Sequence, residues 1–188
     1  MSGHGGHIDA SSKRVALVIA VLAAALAISE TLGKSAQTAA LGYNVEASNL
    51  WSFFQAKTIR MTTLRTASEA LEVDLAREGN ARAKEAMEKR VAEWRKTAAR
   101  YESEPDTREG RKELAARAKE SEKKRDVSLA AYHHYELSSA ALQLAIVLAT
   151  ANIITGVAFL LWGSLGLGAA GVVFILIGFL APTSVHLF

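Results

Sequence analysis

The sequence predicts an all-α integral membrane protein with three transmembrane helices and a long, coiled-coil-like helical hairpin outside the membrane. Apolar stretches lie near both ends of the chain and a charged middle separates them, which is a layout typical of membrane proteins. Ala, Leu, Glu, Lys and Arg dominate that middle, so helices are favoured over sheet. The chain has only two prolines, Pro105 and Pro182, and long helices can therefore run without interruption.

Composition excludes several kinds of site. The chain has no cysteine, so disulfides, thiolate metal sites and cysteine nucleophiles are excluded. Its 22 basic and 19 acidic side chains alternate along the middle, and a formal net charge of +3 remains, so nucleic acid is not an expected partner. No glycine-rich phosphate loop, Ser/His/Asp set or carboxylate pair occurs in a suitable context. We expect neither enzymatic activity nor a cofactor.

The first element is predicted to be a flexible tail, residues 1–13, followed by a spanning helix, residues 14–32. The apolar run 15–28 follows Lys13 and Arg14, which is also the pattern of a signal peptide with an Ala-x-Ala cleavage site. Helical periodicity continues beyond this run without a break. We therefore expect an uncleaved helix, close to the ~20 residues that cross a bilayer.

Residues 33–138 are predicted to lie outside the bilayer core, beginning with a helix at the membrane interface. Residues 45–61 combine aromatic and basic side chains, which is typical of headgroup depth, and Gly42-Tyr43-Asn44 supplies a break before them. The alternative is that the aromatic side chains form the core of a soluble helical bundle or a contact with another subunit. The expected interaction residues are Trp51, Phe53, Phe54, Lys57 and Arg60.

A charged helical hairpin is predicted to follow. Its first arm begins at Thr62, and its turn is expected in "ESEPDTREG". There Pro105 disfavours helix before it, and Asp106 or Thr107 can cap the returning arm, which ends at Glu136.

The two arms differ in length, and the first is the longer. The interfacial helix and a second break at Gly79-Asn80 are expected to absorb the difference. A seam with coiled-coil spacing is predicted between the arms. Its positions are Met87, Val91, Trp94, Ala98 and Tyr101 on the first arm, and Leu114 and Ala118 on the return arm.

Residues 139–181 are predicted to form two further spanning helices, at 139–162 and 165–181, followed by a tail, residues 182–188. Only Trp162-Gly163-Ser164 and its neighbours separate the two helices, so they are expected to form an antiparallel hairpin with an uncharged turn at one membrane face.

Small residues predict how these helices touch. One face of the last helix carries Ser164, Gly168, Gly171 and Gly178, and such a face favours close helix packing. The alternative is that small residues are simply common in membrane helices.

Two polar residues lie within or near the apolar segments. Glu30 and Asn152 are candidates for an intramembrane polar site in an ion or proton path. The alternative interpretation is that Asn152 bonds across a helix interface and that Glu30 pairs with Lys34 at the helix end.

The histidines suggest metal binding only weakly. His133 and Glu136 have the one-turn spacing of a helical half-site, whereas an aromatic and histidine belt at the headgroups is the favoured interpretation of "AYHHYE". Removal of Met1 would expose Ser2-Gly3-His4, which can wrap copper(II) or nickel(II). We predict no metal site.

Orientation follows from the basic residues. Lys13 and Arg14 favour an inside amino terminus, but the larger cluster at Lys119, Lys123, Lys124 and Arg125 favours an inside middle domain. Three spans cannot satisfy both, so we place the middle domain in the cytoplasm.

The stretch "ETLGKSAQTAALGYNVEASNLWSFFQAKTIR" resembles the signature region of a bacterial membrane family, domain of unknown function 4337, over most of the chain. The resemblance implies a bacterial inner-membrane protein and supplies no activity. It rests on Glu30, Gly33, Lys34, Gln37, Asn44, Ala47, Asn49, Trp51, Phe54, Gln55, Lys57 and Arg60.

The leading hypothesis from sequence is a non-enzymatic scaffold or accessory protein in contact with membrane lipid. It would form a homo-oligomer or join a larger membrane complex through its small-residue helix faces and its hairpin. The alternative is a small oligomeric channel or ion-coupled transporter that uses Glu30 and Asn152. A subunit that stabilises an energy-converting complex is a third hypothesis.

Overall fold

A computed structural model of the chain describes residues 10–184, and it is helical throughout, with no strand in that part of the chain. The four helices are α1 (Ala10–Leu75), α2 (Ala81–Glu102), α3 (Arg111–Thr155) and α4 (Ala158–Leu180). The all-α prediction is confirmed.

The chain divides into two compact units that share helices α1 and α3. The terminal unit contains the described residues up to Leu41 and from Arg125 onward, and the middle unit is Gly42–Lys124. In the described part of the chain, three helices are long and apolar enough to cross a membrane, namely α1, α3 and α4. The number of candidate spans therefore agrees with the prediction from sequence.

In the terminal unit, α1 and α3 run antiparallel around a small apolar core. Leu22 of α1 and Leu142 and Ala145 of α3 are buried at its centre. Towards the other end of the unit, the buried Ser29 hydroxyl donates to the Tyr135 carbonyl oxygen at 3.0 Å. Residue numbers therefore increase along α1 in the direction in which they decrease along α3, as expected for antiparallel helices.

The turn between α3 and α4 is built by Gly156 and Val157. Gly156 has φ +72°, in the left-handed region that favours glycine. The Val157 carbonyl oxygen accepts from the Asn152 side-chain amide at 2.9 Å and from the Leu160 backbone amide at 3.1 Å, so Asn152 ties the end of α3 to the first turn of α4. The prediction of a link at Trp162-Gly163-Ser164 is wrong, because all three residues lie inside α4.

Helix α4 packs through its glycine face onto the other helices of the same chain. Ser164, Gly168, Gly171 and Gly178 are all buried. A Cβ atom added at Gly171 would lie 2.7 Å from Leu142 Cγ, and one added at Gly178 would lie 3.0 Å from a Tyr135 ring carbon. A residue larger than glycine at either position would therefore force the helices further apart.

The middle unit is a bundle of three helical segments in which α2 and α3 both run antiparallel to α1. Arg95 of α2 pairs with Glu72 of α1. Further along, Trp51 of α1 bonds Glu122 of α3. Within the middle unit the chain therefore reverses direction once, between α1 and α2.

The predicted position of the hairpin tip is consequently wrong. The tip lies at residues 76–80, where the Asn80 side chain caps α2 by accepting from the backbone amides of Arg82 and Ala83. The loop around Pro105 ends α2, as expected, but the chain continues beyond it in the same direction. Because the chain reverses at residues 76–80 and not near Pro105, the first arm is shorter than predicted. The expected difference in length between the two arms therefore does not exist.

The loop 103–110 is fastened to α3 by Glu113. Its carboxylate accepts from the Ser103 hydroxyl at 2.6 Å and from the Glu104 backbone amide at 3.1 Å. These hydrogen bonds lower the pKa of Glu113, and the bond from Ser103 has the largest effect. Helix α3 begins at Arg111, so the expectation that Asp106 or Thr107 caps it is wrong.

The break expected at Gly42-Tyr43-Asn44 is also wrong, because these residues lie inside the 66-residue helix α1. The predicted seam positions are buried or half-buried, but they do not pair two arms as expected, because α2 and α3 each pack along α1. Val91, Ala98, Leu114 and Ala118 are buried. Met87, Trp94 and Tyr101 are half-buried.

The glycine face of α4 generates a prediction about stability. Gly171→Ala should destabilise the full-length protein by about 1–3 kcal/mol, because the added methyl group collides with Leu142 in a packed interface. Thermal unfolding in detergent, followed by circular dichroism, would show a lower midpoint.

Gly166→Ala is the matched control in the same helix, because a Cβ atom there meets nothing within 4 Å. It should leave the midpoint unchanged or raise it, since alanine is the better helix former. Equal midpoints for the two variants would contradict the packing described for α4.

Candidate functional site

Two of the three aromatic residues of the predicted interaction surface, Trp51 and Phe54, pack against the core of the middle unit. The Trp51 and Phe54 rings meet edge to face, with centroids 5.4 Å apart. Both pack against the buried cluster of Leu50, Leu114 and Ala118. They are therefore largely occupied by packing within the chain.

Lys57 is buried in the same unit, with 7% of its surface exposed. Its ammonium lies 5.3 Å from the centroid of the Phe53 ring and 5.1 Å from that of Tyr101. The nearest carboxylate is Glu109, at 3.9 Å. Aromatic faces and one carboxylate thus compensate the buried charge. Of the predicted interaction residues, Phe53 and Arg60 remain exposed.

Arg111 joins these residues, and the sequence analysis missed it. Its Nε donates to Thr58 Oγ1 at 2.8 Å, and its Nη1 donates to Glu102 Oε2 at 3.0 Å. The guanidinium also lies 4.8 Å from the centroid of the Phe54 ring. One planar cation therefore links all three helices of the middle unit. Within a run of charged residues, no sequence signal distinguishes it.

A second surface of the middle unit is uncharged and exposed, and we call it the outer seam. Its residues are spaced four, three, four and three apart along α1, the spacing by which one helix packs against another. The buried positions Met61 and Ser68 belong to a different face of the helix. The outer seam consists of Ile59, Thr63, Thr66, Ala70 and Val73, all of them exposed.

A groove of about 640 Å³ runs along this surface and is lined by threonine, isoleucine and alanine side chains. The sequence analysis missed the outer seam because it followed the charged and aromatic residues of α1. The heptad spacing was the signal that could have identified it.

The terminal unit contains a polar groove of about 500 Å³ between α1 and α3. Buried Ser29, Gly33 and Tyr135 line it together with exposed charged and amide side chains. The polar groove is lined by Ser29, Glu30, Gly33, Lys34 and Gln37 of α1 and by Tyr132, Tyr135, Glu136, Ser139, Ala140 and Gln143 of α3.

Hydrogen bonds at the polar groove connect the two helices. The Ser139 hydroxyl donates to the Ser29 hydroxyl at 3.2 Å, and the Gln143 amide donates to Glu30 Oε1 at 3.4 Å. Glu30 and Lys34 form no ion pair with each other, contrary to one expectation, although they lie one turn apart. Gln143 is a polar partner that the sequence analysis did not select.

Glu30 and Asn152 do not form one polar site. Glu30 bonds to Gln143, whereas Asn152 bonds to the turn at Val157. Asn152 follows Gln143 by nine residues, which is about 13 Å along a helix. The structure therefore places the two predicted residues near opposite ends of the unit's apolar helices. In the same unit, the buried Ser164 hydroxyl has no hydrogen-bond partner among the described residues.

The histidine pair takes two different positions. His134 is buried, and its Nε2 lies 3.1 Å from the Pro182 carbonyl oxygen. His133 Nδ1 lies 3.7 Å from Glu136. Within residues 10–184, no group of three or more metal-ligating side chains could hold an ion. The Ser2-Gly3-His4 hypothesis lies outside the described residues.

Comparison with known families settles the relationship of the chain. Residues 11–181 match the family described as Domain of unknown function (DUF4337). The chain belongs to this family. The family match covers most of α1 and all of α2, α3 and α4, so both units are part of it. No curated protein and no solved structure matches the chain.

The contacts of Arg111 generate a prediction. Arg111→Ala should lower the free energy of unfolding by about 2 kcal/mol, because it removes two hydrogen bonds and leaves the Glu102 carboxylate without this partner. Thermal unfolding of the full-length variant in detergent is the measurement.

The neighbouring Lys112 is exposed and serves as the control. Lys112→Ala should stay within about 0.5 kcal/mol of the unsubstituted protein. An equally small effect of Arg111→Ala would show that the guanidinium does not hold the three helices together.

Proposed function

We propose that the protein is a non-enzymatic scaffold or accessory protein of the bacterial inner membrane. In this proposal the terminal unit anchors the chain in the bilayer, and the outer seam of α1 binds a helix of another copy or of a membrane complex. The observation that carries the proposal is the outer seam itself, a row of exposed uncharged residues at heptad spacing within a highly charged unit.

Two features of the structure support placing the contact there. The glycine face of α4 packs against α1 and α3 of its own chain, so it is not free to hold a second copy. Trp51, Phe54 and Lys57 are likewise engaged inside the middle unit. The small side chains of the outer seam remain accessible, and they allow the close approach of another helix.

The channel or transporter alternative has less support. It requires Glu30 and Asn152 to line one path, and each residue bonds to a different partner in a different part of the terminal unit. Transport sites gather several polar groups within the membrane.

Single-cysteine crosslinking in native membranes tests the proposal, and the absence of native cysteine makes it direct. Thr63→Cys, Thr66→Cys and Ala70→Cys place thiols on the outer seam. After labelling with a benzophenone maleimide, whose ketone inserts into C–H bonds of any neighbouring chain on irradiation, we expect each variant to form a specific adduct. A product of twice the chain mass would identify a second copy, and a larger heterogeneous product would identify a partner subunit by mass spectrometry.

Lys89→Cys provides the control, because Lys89 is exposed on α2 in the same unit but lies outside the outer seam. It should form no specific adduct. The proposal fails if the three seam variants crosslink no more than Lys89→Cys.

The orientation can be tested with the same variants. We propose that the middle unit lies in the cytoplasm, because the basic cluster before the apolar part of α3 outnumbers the basic residues before that of α1. A membrane-impermeant maleimide applied to intact spheroplasts should not label Lys89→Cys until the membrane is opened. Labelling of intact spheroplasts would reverse the orientation.

A further inference from the structure

We propose that the polar groove binds the headgroup of a zwitterionic phospholipid that carries a primary ammonium, of the phosphatidylethanolamine class. The ligand chemistry is an ammonium and a phosphate separated by a short linker. This inference goes beyond the scaffold function, since it concerns the terminal unit and does not depend on what binds the outer seam.

The position of the groove within the terminal unit matches headgroup depth. Helix α4 ends at Leu180, and the following Pro182 carbonyl oxygen lies 3.1 Å from the His134 ring. Gly178, in the last turn of α4, lies beside Tyr135. The last apolar helix therefore ends level with the part of α3 that lines the groove, where a bilayer gives way to its polar headgroups.

Charged groups in the groove are left with little to bind within the chain. Lys34 forms no ion pair with any residue in the described range 10–184. Glu30 accepts a single long bond from Gln143, at 3.4 Å, and the contact of Glu136 with His133 is 3.7 Å long. Both carboxylates and the ammonium thus retain most of their capacity for hydrogen bonds.

The signs of these charges favour one class of headgroup. The ammonium of Lys34 suits a phosphate oxygen, and the carboxylates of Glu30 and Glu136 suit an ammonium. Two carboxylates against one lysine leave an excess of negative charge, which disfavours an anionic headgroup. A primary ammonium donates three hydrogen bonds, which a quaternary ammonium cannot do. Phosphatidylethanolamine therefore fits better than phosphatidylglycerol or phosphatidylcholine.

The surroundings of the groove also suit a lipid. Packing within the chain closes the floor of the groove, since Ser29 is buried and a Cβ atom at Gly33 would lie 3.4 Å from Tyr135 Cβ. A headgroup would therefore lie over the exposed charged and amide side chains. Further along α3 from Gln143, towards the interior of the apolar segment, the exposed side chains are apolar and include Leu144 and Val147. An acyl chain can lie against this surface while its headgroup remains in the groove.

Native mass spectrometry of the full-length protein tests the proposal. The protein is released from micelles doped with equal amounts of phosphatidylethanolamine, phosphatidylglycerol and phosphatidylcholine of the same acyl composition. We expect a one-to-one adduct with phosphatidylethanolamine in preference to the other two. Glu30→Gln and Lys34→Gln should each reduce its affinity about tenfold, the loss expected for one charged hydrogen bond.

Matched controls separate site binding from general charge effects. Lys84 and Glu88 have the same one-turn spacing on α2 and are exposed, so Lys84→Gln and Glu88→Gln should leave the adduct unchanged. Thermal unfolding without added lipid should be the same for the groove variants and the unsubstituted protein, which excludes loss of fold as the cause.

Three results would overturn the proposal. They are the absence of a phosphatidylethanolamine adduct in the unsubstituted protein, equal binding of all three lipids, and adducts that survive both groove substitutions. A last comparison measures the affinity of soluble O-phosphoethanolamine, which is the headgroup without its acyl chains. If it binds as tightly as the lipid, the groove binds a soluble ligand and the proposal of a lipid site is also wrong. None of these results bears on crosslinking at the outer seam, so the two proposals fail separately.

Discussion

The terminal unit depends on the close approach of α4 to α1 and α3. Apolar side chains gain little by leaving lipid for a helix interface, so in a bilayer the packing of these candidate spans would come from van der Waals contact between well-fitted surfaces. Gly171 against Leu142 and Gly178 against Tyr135 provide that fit, and an added Cβ atom would fall within about 3 Å of its neighbours at both positions. Since this face is used within the chain, assembly with other chains must use other surfaces.

The middle unit differs, because two cations, Lys57 and Arg111, contact aromatic rings beside its apolar core. Its central apolar cluster is small, with Leu50, Leu114 and Ala118 buried and Trp51 and Phe54 packed against them. Other buried apolar side chains, such as Met61 and Val91, lie further along the bundle. Around the central cluster, Lys57 and Arg111 lie against aromatic rings and bond to Glu109 and to Glu102, respectively. A thin helical bundle can bury little apolar area, and these cation contacts supply additional, direction-dependent attraction. Trp51, Phe54 and Lys57, which suggested a membrane surface, therefore pack in the interior of the middle unit.

Local signals in the sequence predicted the helices well and the path of the chain less well. Composition and spacing identified the three apolar segments, the seam on α2 and the end of a helix before Pro105. Proline shows where a helix stops, but it does not show in which direction the next helix leaves. The reversal instead uses Asn80, whose side chain caps α2, and a second turn uses Gly156 in a left-handed conformation.

The candidate sites depended on contacts between distant parts of the sequence, which no local pattern reveals. Glu30 was visible as a charge near an apolar run, but its partner Gln143 is 113 residues away. Arg111 looked like any other basic residue until its contacts with Thr58 and Glu102 were known. The outer seam is the exception, since its spacing is local and was present in the sequence throughout.

The turn between α3 and α4 has a consequence for how the protein enters the membrane. No Asp, Glu, Lys or Arg follows Glu136 in the sequence, so the turn at Gly156 and Val157 carries no charged side chain. Each such residue would add about 2.5–3.5 kcal/mol to transfer through the bilayer centre. The turn also pairs its own backbone, since the Gly156 amide donates to the Asn152 carbonyl oxygen and the Leu160 amide donates to the Val157 carbonyl oxygen. In the membrane placement proposed above, the end of α3 and the whole of α4 would insert together as a pair, and the basic residues that precede them would stay on the side from which the pair entered.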